Sequence, residues 1–270
     1  MAGDYPEKYS KQLSEFRLMD DLFFGVCLGD SKEGIELIIS IAKQRKDIKV
    51  LEFINQKDIP NIMGRGARLD VLATDSEGRQ YNIEVQNDDD GAIPKRARFN
   101  ASMLDYMTVK KGATWQEIPK NCVIMITDDD VLGFGDALYL VTRTIASRSH
   151  APFEDESEII YINGQYKGDD DVGRLVHDLK CKDPDDMYFH VLANRVRYFK
   201  ENKRGRGEMC EIIRKLQEEA EENTKDSILT KMLNDGIATY PYISELLGKG
   251  IDEVVSKAKN LGVYKPELAK

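Results

Sequence analysis

Asp70, Glu84 and Gln86 lie on two adjoining extended segments and have the types and spacing to do chemistry. Two carboxylates beside an amide suit a hard divalent cation. Mg²⁺ takes oxygen ligands, commonly one or two protein carboxylates with waters and substrate phosphate. A cation held that way polarises a phosphodiester and lowers the pKa of a bound water, which is metal-assisted phosphodiester hydrolysis. The backbone carbonyl of Val85 offers a further oxygen at the same place. Mn²⁺ is a possible substitute.

The elements that must position these groups are legible in RLDVLATDSEGRQYNIEVQ, residues 68–86. Leu69, Val71 and Ala73 alternate on one face of a first strand, and Tyr81, Ile83 and Val85 on one face of a second. Ser76-Glu77-Gly78 supplies a three-residue turn with glycine where a left-handed conformation is needed. With Asp75 facing Arg79, Ala73 faces Tyr81 and Val71 faces Ile83, so both apolar sets share a face. That register sets Asp70 opposite Glu84 and Arg68 opposite Gln86. A one-residue slip would mix the faces and is disfavoured. Carboxylates directly opposite in a sheet have Cβ atoms about 5 Å apart and repel, so water, a basic residue or a cation must compensate. Taken alone, the hairpin fits two solvated acids balanced by Arg68 and Arg79 better than it fits a site.

The neighbours change that balance. Residues 20–43 have helical spacing with a break near Gly29-Asp30-Ser31, residues 48–54 form a strand, and NQKDIPNIMGRG is a loop. PKRARFNASMLDYMTVK begins with proline in a first helical turn and carries Ala97, Ala101, Leu104 and Thr108 near one stripe. NCVIMIT, 121–127, is a continuous apolar run suited to a strand buried on both faces. Helix, strand, strand, strand, helix, strand is an α/β core. A strand at 158–163, a helix at 172–202, a charged helix at 207–222 and two shorter helices at 227–235 and 240–261 follow, so residues 1–150 form the core and 151–270 a mainly helical region.

The segments GRGARLDVLATDSEGRQYNIEVQ, IPKRARFNASMLD and CVIMITDDDVLGFGDALY together resemble the PD-(D/E)XK nuclease family transposases, the recombination-promoting nucleases. The family's strand acid is matched by Asp70 in Arg-Leu-Asp-Val, its Glu-x-Lys or Glu-x-Gln by Glu84-Val85-Gln86, and its arginine-bearing helix start by Arg96-Ala97-Arg98. The resemblance spans roughly residues 18–145. It implies a restriction-endonuclease-like αβββαβ core with a mixed central sheet, Mg²⁺ on Asp70 and Glu84, and cleavage of DNA in a transposition or recombination setting. Gln86 stands where many such nucleases have lysine, and glutamine orients only by hydrogen bonds. An acid on the N-terminal helix often completes such sites, and Asp21 is the candidate, with Asp20 equally able to cap that helix. Arg96 and Arg98 are candidates for substrate phosphate, since the guanidinium fork matches phosphate geometry. Two apart on a helix, they point in different directions.

The bulk properties bound this reading. The 270 residues carry a net charge of −9, which argues against coating nucleic acid through bulk electrostatics and not against an enzyme with a local basic strip. No apolar run has the length of a membrane span, and the polar N-terminus has no secretory pattern. Cys27, Cys122, Cys181 and Cys210 form no CxxC pair and suit free thiols in a reducing cytoplasm. His177, Cys181 and His190 fit no zinc spacing. Arg195, Arg197, Lys200, Lys203, Arg204 and Arg206 interleave with Tyr198 and Phe199, a pattern that holds nucleic acid or simply ends a helix. The C-terminal helices suit packing or homo-oligomer formation better than a helix-turn-helix. Two alternatives stay open: an RNA-cutting relative, and a catalytically silent binding module on the same fold.

Overall fold

The computed structural model describes residues 7–59, 67–87, 91–109, 112–236 and 238–268, with the side chains of Glu7, Lys8, 56–59 and 67–69 outside the description. The expected partner of Gln86, Arg68, therefore lies outside the described side chains. The chain divides into two compact units, Met1–Gly207 and Glu208–Lys270.

In the first unit, α1 (Glu7–Glu15), α2 (Asp21–Leu28) and α3 (Lys32–Ala42) precede β1 (Val50–Ile59), β2 (Ala67–Asp75) and β3 (Gln80–Gln86). Then come α4 (Pro94–Thr108), β4 (Asn121–Thr127), β5 (Leu138–Val141), a two-stranded ribbon of β6 (Thr144–Ile145) and β7 (Ala151–Pro152), β8 (Ser157–Ile162), α5 (Asp171–Lys180) and α6 (His190–Glu201). The described strands form a six-stranded sheet in the order β1-β2-β3-β4-β8-β5. β1, β2 and β3 are antiparallel, β3, β4 and β8 run parallel, and β5 returns antiparallel on β8. This is the expected αβββαβ core with a mixed sheet, and β8 and β5 widen it.

β4 sits at the centre with every residue buried, which is why its sequence is an unbroken apolar run. α4 packs on the sheet through Ala97, Ala101 and Leu104. The small alanines let the helix come close, so its polar residues reach the strands beneath. The break between α2 and α3 falls where the sequence put it: Ser31 caps α3 by accepting from the Gly34 amide at 3.2 Å.

The hairpin has the expected register, Val71 opposite Ile83 and Ala73 opposite Tyr81. Gly78 in the turn has φ +79°. Buried Asp75 holds the turn: one oxygen accepts from the amides of Glu77 and Arg79, each at 2.9 Å, and the other from the Tyr81 hydroxyl at 2.8 Å. Asp75→Ala would strand that buried hydroxyl and is expected to destabilise the first unit by about 2–4 kcal/mol. Urea unfolding checks this, and an unchanged midpoint would contradict it.

Some boundaries differ from expectation. α1 was not anticipated, and β1 runs to Ile59, through the start of the segment read as a loop. The expected helix over 172–202 is two helices. Pro184 lies between them in a short 3₁₀ turn, and buried Asp178 accepts from the amides of Tyr188 and Phe189, at 2.8 and 2.7 Å, at the entry to α6.

α7 (Lys203–Asn234) begins at the end of the first unit and is continuous through the polar Asn223-Thr224-Lys225-Asp226 stretch, where separate helices at 207–222 and 227–235 were expected, and in the second unit α8 (Tyr240–Leu247) and α9 (Ile251–Asn260) follow it. Thr224 bonds back to the Ala220 carbonyl at 2.8 Å, and Lys257 bridges Glu222 and Asp226, so the polar stretch is held helical. Leu229, Leu233, Tyr240, Ile243, Val254 and Ala258 form this unit's apolar core.

Candidate active site

The β2–β3 ladder runs as far as Val71 and Ile83. One step on, side chains take over from the backbone. The Asp70 amide donates to Glu84 Oε1 at 3.3 Å, and the Val85 amide donates to Asp70 Oδ2 at 3.1 Å. The two acids thus meet at one corner of the sheet, each carboxylate bonded to the other strand. Glu84 is 0% exposed and Asp70 7%. Gln86 lies next along β3, and its Oε1 accepts from Arg96 Nη1 at 2.8 Å. The same nitrogen donates to the Gly91 carbonyl at 3.1 Å, while Arg96 Nη2 donates to Glu84 Oε2 at 3.2 Å. One arginine at the start of α4 therefore spans both functional groups of the Glu-x-Gln strand.

Gly91 explains part of that geometry. A Cβ there would sit 2.3 Å from Gln86 Oε1 and 3.3 Å from Arg96 Nη1, so a side chain at this position would displace the Gln86 amide from its bond to Arg96.

The electrostatics follow from burial. Burial, the adjacent Glu84 and then Asp21 push the Asp70 carboxyl up to about 8. Burial also raises Glu84, opposed by the Asn82 amide, by Arg96 and by the Asp70 N–H. An acid pair so placed is short of positive charge, and Arg96 supplies it only in part.

Asp21 is the first residue of α2, exposed and close enough to act on both acids through its charge. It has no hydrogen-bond partner among the described residues. Asp20, its rival, is used otherwise: it accepts from the Arg17 amide at 2.7 Å and from Asn87 at 3.2 Å. Arg98 does not join the cluster. It is exposed and lines a separate cavity of about 380 Å³ with Leu132, Arg143 and Tyr161.

Sequence reasoning missed Asn82 and Asn100, both buried. Asn82 stands two residues before Glu84, on the same strand face, and that spacing was the available signal. The basic stretch after residue 195 is largely engaged internally. Arg195 donates to the Cys27 carbonyl and pairs with Asp30, Arg197 pairs with Asp185, Lys200 donates to the Ser14 and Lys182 carbonyls, and Arg206 donates to Ser10.

Among the described residues, no three His, Cys, Asp or Glu side chains come together as a metal-holding group. The corner instead offers two carboxylates and a carbonyl. Val85 sends its N–H towards β2, and in an extended strand the carbonyl of the same residue points to the same side. Two carboxylates with the balance made up by water and substrate is the donor set Mg²⁺ accepts, so the residues present fit a hard divalent cation.

A mixed sheet flanked by helices, with an acid on β2 facing Glu-x-Gln on β3 beneath an arginine-bearing helix, is the PD-(D/E)XK nuclease fold. The family model for PD-(D/E)XK nuclease family transposases matches residues 22–191, more than half of the chain, and the chain belongs to that family. Comparison with curated proteins finds no match, and comparison with solved structures finds none either. Membership brings nuclease and transposase-related function, and nucleases of this class generally use divalent metals. Among the described residues, no helix is long and apolar enough to cross a membrane.

Proposed function

We propose that this chain is a Mg²⁺-dependent DNA endonuclease that hydrolyses phosphodiester bonds in a transposition or recombination setting, with Mn²⁺ as a substitute ion. The observation that carries this reading is the convergence of Asp70 and Glu84 at the corner where the β2–β3 ladder gives way. Asp70, Glu84 and the Val85 carbonyl hold the cation, which when bound polarises the scissile phosphate and acidifies an attacking water. Asp21 adds a further acid at the rim. Gln86 acts through hydrogen bonds alone. Arginine only donates, so its bond to Gln86 Oε1 fixes the amide and leaves the Gln86 NH₂ to orient water or phosphate. Arg96 supplies the positive charge that glutamine lacks. Arg98, outside the cluster, suits a flanking phosphate. The chemistry lies within residues 1–150, residues 151–207 complete the first unit with β8, α5 and α6, and the C-terminal helices serve packing or homo-oligomer assembly. The free thiols of Cys27, Cys122 and Cys181 are consistent with a cytoplasmic setting.

A second reading has one observation in its favour: Arg96 already pairs with Glu84, at 3.2 Å. On that reading the chain binds nucleic acid without cutting it. Nicking of supercoiled plasmid, beside single-stranded DNA and RNA substrates, with Mg²⁺ or Mn²⁺ decides between them. The proposal expects plasmid cleavage that EDTA stops and Asp70→Asn removes. Cleavage of RNA alone would move the assignment to an RNA-cutting relative, and no cleavage of any substrate would favour the silent module.

The raised Asp70 carboxyl gives a pH signature. The folded state holds its proton more tightly than the unfolded chain does. Its contribution to metal-free stability is therefore present below about pH 4 and is lost as pH rises towards about 8. Metal binding needs the ionised form, so affinity rises over the same interval. Asp70→Asn is expected to flatten the first dependence, raise the metal-free melting temperature at about pH 8 by about 2–4 °C, and abolish metal binding. Melting curves and Mn²⁺ titrations across pH check this; an affinity independent of pH would contradict it.

A further inference from the structure

Asn82 is fully buried on a strand position where an apolar side chain would pack at lower cost. Its Nδ2 donates to Glu84 Oε1 at 2.9 Å, and its Oδ1 accepts from Asn100 Nδ2 at 3.3 Å. Asn100 is itself buried and lies four residues after Arg96 in α4, hence on the same helix face. Both oxygens of Glu84 are thus governed from one stripe of one helix. Arg96 holds Oε2 directly, and Asn100 acts on Oε1 through Asn82.

The two connections differ in kind. The amide side is sealed and neutral. Because Asn100 donates to the Asn82 oxygen, the Asn82 amide is oriented with its NH₂ towards Glu84. The Arg96 side chain is 37% exposed and has solvent to move into.

We propose that Asn82 and Asn100 are positioning residues that, beside the Asp70 N–H, hold Glu84 Oε1 with a sealed amide donor, leaving Oε2 as the oxygen that exchanges Arg96 for the incoming cation. The inference rests on the metal-site reading above and adds to it which side of the carboxylate opens. It also accounts for a buried asparagine pair whose one other bond, from Asn82 Nδ2 to the Val71 carbonyl at 3.5 Å, is long.

The test is Mn²⁺ affinity, by titration calorimetry, of the full chain and of Asn100→Ala and Asn100→Leu, with thermal melting of each. Alanine empties the site, whereas leucine fills it without a donor. A positioning role predicts that both variants lose about tenfold in Mn²⁺ affinity, the lower end of what outer-shell changes cost, although leucine, which fills the volume, melts closer to the wild type than alanine does. Wild-type affinity in Asn100→Leu would overturn the proposal while leaving the metal site standing. A wild-type protein that binds no Mn²⁺ would instead overturn the metal reading and this proposal with it. Should Asn100→Ala fail to fold, the leucine variant alone carries the decision.

Discussion

Glu84→Gln is expected to lower DNA cleavage by about 10³-fold or more and to leave the fold intact. The substitution keeps the volume and removes the charge. A metal acting on a phosphodiester supplies several kcal/mol of transition-state stabilisation, and about 4 kcal/mol corresponds to about 10³ in rate. Glu84 is fully buried with partners on both oxygens. In the variant, one end of the amide can still accept from Asn82 or Arg96, so the protein should fold and the loss should appear in cleavage and metal affinity. Plasmid nicking at matched protein concentration, with circular dichroism as the control for folding, measures it. Retention of cleavage within tenfold would remove Glu84 from the site.

The second large effect separates binding from chemistry. Arg96 competes with a cation for Glu84 Oε2, yet on this account it also stabilises charge on the phosphate. Arg96→Ala is therefore expected to tighten Mn²⁺ binding by about tenfold, because a charge-assisted hydrogen bond worth about 1.5 kcal/mol no longer has to be broken. Cleavage is expected to fall by about 10²–10³, the loss typical of removing one preorganised donor. Opposite movements of affinity and rate are not what a damaged fold gives. Parallel losses would show that Arg96 only supports the structure, and an unchanged rate would show that another group meets the phosphate.

Much of this was legible in the sequence because it depends on period and turn chemistry. The alternation of Val71 and Ala73 against Tyr81 and Ile83 fixed the hairpin register, and with it the meeting of Asp70 and Glu84. Gly29-Asp30-Ser31 marked a break in the helical stretch, and the apolar run of β4 marked the buried centre. Less was legible where a distant group decides. The polar face of the hairpin read as solvated, and the structure buries it: α4 lies over Asn82 and Glu84, and its alanines permit that approach. Asp178 turns the chain between α5 and α6 by reaching amides ten and eleven residues away, which no local pattern announces. The basic stretch from Arg195 read equally as a nucleic-acid strip or a helix end, because the partners of Arg195, the Cys27 carbonyl and Asp30, lie far off in sequence.

Direct titration of the metal-free protein with Mn²⁺ at about pH 8 tests the central claim most closely, since it needs no substrate. The account predicts saturable binding in the wild type that Asp70→Asn and Glu84→Gln each abolish. Binding that survives both substitutions, or a wild type that takes up no ion while its fold is intact, would contradict it.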